Sequence, residues 1–172
     1  RRQRQMCIRD RLDIRQIFDA ANYNIVQEFD ISSEKFAEQF SLLYEVNSDK
    51  IESLALYGNE GRLIASEPVA VEKENIDVTG QDWYKNAESA IENVHFSIPH
   101  IQNLYEDGLY RYHWVVSLSR YVDINDGEIP GSGVLLVDMK YSVIEDVLKQ
   151  INDSSEGIYY YMISRDGQMI YH

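Results

Sequence analysis

The side chains best suited to meeting a small molecule lie among apolar residues in three short segments: 96–103, 114–120 and 133–138. Successive side chains of a strand point to opposite sides, so Ser117 and Ser119 share one face. Two hydroxyls between Val and Leu mark either a polar-lined hollow or a solvated edge. Asp138 ends an apolar run, where burial would raise its pKa unless a cation or hydrogen-bond donors meet it. A strand-end carboxylate capping the next turn gives the same pattern. The chain also holds 13 Tyr and 2 Trp. Their flat apolar faces and polar tips suit sugars, amino acids and amines.

Patterns for turnover are weaker. Four histidines, His95, His100, His113 and His172, show no His-x-x-x-His spacing, and no Cys-x-x-Cys occurs. We therefore expect no metal site and no cofactor. Neither a nucleophile-elbow Gly-x-Ser-x-Gly nor a phosphate-binding glycine loop is present. With 29 Asp plus Glu, the proximity of any two carboxylates says little about acid–base catalysis.

The composition is that of a globular domain, 44% hydrophobic and 26% charged. The formal net charge is −13, and an acidic surface repels phosphate backbones, so nucleic acid is not an expected partner. Residues 1–11 depart from this, with five Arg against one Asp. Met6-Cys7-Ile8-Arg9-Asp10 looks like a translated sequencing-adapter end, and residues 1–11 are set aside as a suspected artefact. They contain the single cysteine, Cys7. The rest of the chain then has no disulfide framework.

The elements that must position the polar residues follow from periodicity. Ile14, Ile17, Ala21 and Ile25 form a helical stripe, which either packs on the domain's own sheet or also forms a dimer seam. Ser33 is a candidate N-cap for a second helical stretch through Phe36, Phe40, Leu43 and Tyr44. Ile51–Tyr57 and Arg62–Ser66 read as strands about the Gly58–Gly61 turn. Thr79 is placed to cap a helix holding Trp83, Tyr84, Ala87 and Ile91. Three strands follow, at Val94–Gln102 broken near Pro99, Leu109–Tyr121 and Gly133–Met139, with Asp123–Ser132 as an exposed loop. Ser142 and Glu145 predict a capped helix over 143–152. A terminal hairpin spans Ile158–Tyr171 around Ser164–Gly167. The expected class is α+β: a long N-terminal helix and an antiparallel five-stranded sheet flanked by helices.

Trp83-Tyr84-Lys85-Asn86-Ala87 is similar to the helix start of double-Cache sensory domains, which are extracellular and PAS-like. The three strand segments resemble, more narrowly, the ectodomain of YesM-type sensor histidine kinases. The likeness runs from about Leu12 to His172. It implies an N-terminal helical region at 12–47, a membrane-distal Cache domain at 48–152, and the opening of a membrane-proximal module at 153–172. It further implies a cell-membrane two-component receptor with this segment outside the cell. Such a segment has no catalytic activity; it dimerises through the N-terminal helix, and a response regulator is reached through a kinase core. Its ligand-binding candidates are Trp83, Tyr84, His100, Ser117, Ser119, Arg120 and Asp138. Amino-acid-binding relatives carry Tyr-x-x-x-x-Arg-x-Trp-Tyr, whereas here Ile76 and Gln81 stand at the Tyr and Arg positions. The cation for a ligand carboxylate is missing unless Arg111 or Arg120 supplies it, and a carbohydrate-related ligand is implied instead. The alternatives are a Cache domain of a chemoreceptor or cyclic-dinucleotide enzyme, a carbohydrate-active hydrolase, and a ligand-free dimerisation module.

Overall fold

A computed structural model describes residues 14–90, 94–106, 109, 111–127, 129–153, 162–163 and 169–171. Residues 1–11, the 107–108 and 164–167 turns and Tyr159–Tyr161 lie outside these.

The N-terminal region is two helices rather than one long one. Helix α1 (Ile14–Ala21) passes into a π-helical turn (Asn22–Val26), and α2 spans Glu34–Glu45. The break has a local cause. Asp30 Oδ1 accepts from the Ser32 backbone N–H at 2.8 Å and its hydroxyl at 2.6 Å, which turns the chain. These bonds hold the Asp30 carboxyl below the usual range. Ser33 then caps α2 as expected, its Oγ accepting from Phe36 N at 3.1 Å.

Strands β1 (Ile51–Gly58), β2 (Leu63–Glu67), β3 (His95–Phe96), β4 (His100–Ile101), β5 (Trp114–Asp126) and β6 (Ile129–Lys140) form one antiparallel sheet. Its order is β2-β1-β6-β5-β3, with β4 beside β3 on the same edge of β5. There are six strands rather than five because the stretch around Pro99 is two short pieces; proline has no N–H to continue a ladder. The expected loop Asp123–Ser132 is instead the end of the β5–β6 hairpin, paired out to Asp126 and Ile129. Gly127, at φ 65°, lies in that turn. Strand β5 begins at Trp114, later than its composition suggests.

Helix α3 covers Asp82–Ser89, with Gln81 and not Thr79 at its start. The Thr79 hydroxyl is engaged by Asp77 Oδ1 at 3.0 Å. Helix α4 covers Tyr141–Asp153, so Ser142 is its second residue rather than its cap. Strands β7 (Met162–Ile163) and β8 (Met169–Tyr171) pair as a separate two-stranded sheet.

Strand alternation divides the core between the two faces. On one face, Leu54, Leu56, Val116, Leu118, Val122, Leu135 and Val137 pack with Ile14, Ile17, Phe18 and Ala21 of α1, with Phe36 and Phe40 of α2, and with Ile144 and Leu148 of α4. The N-terminal stripe is thus committed to this chain's own core. On the other face, Ala55, Tyr57, Val134 and Leu136 pack with Trp83, Tyr84 and Ala87 of α3 and with Leu104 and Tyr105. Gly133 lets β1 and β6 approach; a Cβ there would stand 2.0 Å from the Tyr57 carbonyl oxygen and 2.8 Å from Ile124 Cδ1. Gly133→Ala should cost roughly 3 kcal/mol, the upper end for inserting one methyl into a packed interior. Chemical denaturation checks this, and an unchanged midpoint would contradict the close approach.

Candidate functional site

The face under α3 carries an unusual row of polar residues. Ser53 on β1 and Ser117 on β5 stand opposite Asp138 of β6 from either side. The even spacing of strand side chains puts all three on one surface. Each is buried, Asp138 to 1% exposure. Ser53 Oγ donates to Asp138 Oδ2 at 2.9 Å, and Ser117 Oγ donates to Oδ1 at 2.5 Å. His100 Nε2 lies 3.3 Å from Ser117 Oγ, while its Nδ1 faces the Ile98 carbonyl at 3.0 Å. Burial pushes the Asp138 carboxyl above the usual range; the Ser117 and Ser53 hydrogen bonds and His100 offset part of the rise, and Glu52 adds to it.

Two residues along β5, Ser119 donates to the Trp83 backbone carbonyl at 2.8 Å and so ties α3 to β5. The Trp83 ring packs on Tyr57 and Tyr84, with centroids 5.3 and 5.6 Å apart. The Tyr84 hydroxyl donates to the Gly58 carbonyl at 3.2 Å. Six of the seven candidates, Trp83, Tyr84, His100, Ser117, Ser119 and Asp138, therefore border this one face.

Arg120 does not. It points to the opposite face, where its Nη1 donates to the Tyr23 hydroxyl at 3.2 Å and its Nε is buried without a partner. The cause is the period of two: neighbours of Ser119 in sequence must face away from it. Arg120 thus cannot replace the cation missing at Gln81, whose own Nε2 donates to the Asp77 carbonyl at 3.3 Å.

The site also contains residues that the sequence reading passed over. Tyr57 and Tyr105 share a hydrogen bond of 3.1 Å between their hydroxyls. Burial is the main cause holding both phenols well above the ordinary range; Glu72 and Asp138 both reinforce the rise. Glu72 is brought here by an isolated bridge to Tyr105. Its Oε1 is buried without a donor. The alternation Ser53, Ala55, Tyr57 was a readable signal for the strand residues. Glu72 comes from an irregular segment with no period to read.

The arrangement suits binding better than nucleophilic catalysis. Ser117 stands between His100 and Asp138 and donates toward the carboxylate, so Asp138 does not orient the imidazole as in a Ser-His-Asp triad. The other histidines are placed apart: His95 pairs with Ser119 across β3 and β5, and His113 Nδ1 meets Glu52 Oε1 at 2.7 Å. Among the described residues, no group of three His, Cys, Asp or Glu could hold a metal ion. A separate open groove of about 720 Å³ beside the start of α4, bordered by Glu52, His113, Trp114 and Lys140, contains none of the seven candidates.

Solved structures share this fold. The ligand-binding domain of Pseudomonas aeruginosa chemoreceptor PctC, in complex with GABA, superposes with a TM-score of 0.67 at 21% identity; 97% of this chain and 70% of that one are covered. The fold is that of a Cache-like sensory domain. The Pseudomonas fluorescens chemoreceptor CtaA domain with L-serine gives 0.63 at 19% identity, covering 98% and 65%. The Pseudomonas aeruginosa PctB domain with L-Gln gives 0.59 at 20%, covering 91% and 59%. This chain thus spans less than two thirds of the CtaA and PctB domains. No protein-family profile matches the chain. No curated protein matches it either. Among the described residues, no helix is long and apolar enough to cross a membrane.

Proposed function

We propose that this chain is an extracytoplasmic ligand-sensing domain of a membrane receptor, and that it binds a small polar molecule on the face between α3 and the sheet. The observation that carries this reading is the buried row Ser53–Asp138–Ser117 within a sensory-domain fold. Buried polar groups cost stability unless satisfied, and a ligand site is a common reason to keep them. Trp83, Tyr84, His100, Ser117, Ser119 and Asp138 are its binding residues, joined by Tyr57 and Tyr105. Trp83 and Tyr84 supply apolar wall; the hydroxyls and the carboxylate supply orientation.

In this reading the segment performs no chemistry, and occupancy shifts a population between two packings of the leading helices. The YesM-like strand segments favour a histidine kinase with a response regulator as output, and a carbohydrate-related ligand. The solved neighbours favour a chemoreceptor equally well, and those named above are complexes with L-Gln, L-serine and GABA. A homodimer through α1 would use its outward side around Arg15 and Asp19, because the apolar side is spent. The β7–β8 pair opens a membrane-proximal module.

A melting-temperature screen of this chain against sugars, amino acids and amines tests the proposal. A ligand at a hundred times its Kd should add about 2.7 kcal/mol of stability. Absence of any shift across all three classes would reject it.

A further inference from the structure

The open groove beside the start of α4 has an aromatic wall that belongs to neither core cluster. Trp114 is 52% exposed and Tyr112 is 79% exposed, whereas Trp83 is 7% exposed beneath α3. Ile98 and Pro99 border the same groove. They come from a stretch, residues 94–105, that contains no Asp, Glu, Lys or Arg. The backbone of this wall is held by pairing. Ile101 of β4 stands opposite Trp114 of β5, and the Gln102 N–H donates to the His113 carbonyl at 2.9 Å. Large apolar side chains scattered singly over a surface need no explanation, but these are gathered around one concavity. Its volume of about 720 Å³ lies within the range of roughly 300–1,000 Å³ usual for small-molecule sites.

The polar side of the groove holds charges of both signs. Glu52 Oε1 is met by His113 Nδ1 at 2.7 Å, and both side chains keep part of their surface exposed. Lys140 Nζ donates to the Ser48 carbonyl at 2.6 Å, and Glu145 borders the groove from α4. We infer that this groove is a second binding site, additional to the face under α3, and that it takes a short chain of neutral sugar units. An anion would approach two carboxylates on a chain of net charge −13. A cation would approach Lys140, and Glu52 is already engaged by His113. A wholly apolar ligand would strip water from Glu52, Lys140 and Glu145 and return no hydrogen bond. A neutral saccharide meets both sides of the groove. The C–H face of a sugar ring lies on Trp114 or Tyr112, while its hydroxyls donate to the carboxylates and accept from Lys140. The site does not depend on what occupies the face under α3.

The two tryptophans make the test direct, because one borders each site and each gives its own indole N–H signal in an NMR spectrum. The unaltered chain is titrated with maltotriose, cellotriose, xylotriose, L-glutamine and butylamine. At least one trisaccharide should move the Trp114 signal in a saturable way and leave that of Trp83 in place. Calorimetry with that trisaccharide should show Trp114→Ala losing about tenfold in affinity and Trp114→Phe retaining most of it. Equal affinity of Trp114→Ala and the unaltered chain overturns the stacking role. Glutamine or butylamine moving the Trp114 signal, with the trisaccharides silent, overturns the neutral-sugar assignment. A compound that moves only Trp83 supports the site under α3 and counts against this one. A Trp114 signal that no compound moves overturns the groove site, and the melting-temperature screen still judges the sensory reading by itself.

Discussion

Phe18→Ala is expected to lower the stability of the domain by about 3–5 kcal/mol, as for other fully buried aromatic side chains reduced to alanine. Phe18 is 0% exposed in a cluster that joins α1 to Leu54, Leu118 and Val137 of the sheet. Its loss leaves a cavity beneath α1, and an eight-residue helix has little stability of its own. Equilibrium denaturation gives the size of the effect, and amide exchange in α1 and β5 gives its location. A dimer seam would behave otherwise: the substitution would change oligomeric mass and leave the monomer's denaturation midpoint in place. The result therefore separates the two roles that the Ile14–Ile25 stripe could have played.

The second large effect concerns Asp138. Its folded-state carboxyl lies above the usual carboxylate range, chiefly because of burial. A raised carboxyl binds its proton more tightly in the folded than in the unfolded state. Its stabilising contribution is therefore complete below about pH 4 and is lost as pH rises from there through the folded-state value. The groups facing it are Ser53 and Glu52 on β1, Ser117 on β5, His100 on β4, and the Tyr57–Tyr105 pair with Glu72 beyond. Asp138→Asn removes the titration while keeping the shape. The variant should gain stability relative to the parent as pH is raised. Denaturation midpoints at several pH values check this. Parallel curves for the two proteins would show that Asp138 is not held away from its unfolded-state behaviour.

Local patterns carried much of this architecture. The Ser33 cap, the Gly58–Gly61 turn, the break at Pro99 and the pairing of Ser117 with Ser119 on one face all follow from short-range chemistry and strand period. The same period already placed Arg120 on the other side, although its neighbours in sequence drew it into the candidate set. The length of the β5–β6 hairpin was hidden, because Asp123–Ser132 is rich in turn-forming residues although most of it is paired.

The amino-acid sequence alone determined an acidic α+β domain with apolar strands, polar interruptions at Ser117, Ser119 and Asp138, and a Trp-Tyr helix to cover them. These depend on side-chain type and on periods of two and 3.6, which neighbours along the chain fix. Only the tertiary structure decided that Ser53, 85 positions from Asp138, completes its hydrogen bonds, and that Glu72 comes to the Tyr57–Tyr105 pair. Such contacts depend on which strands become neighbours and on where irregular segments return. Both are set by burial summed over the whole sheet, which no window of sequence contains.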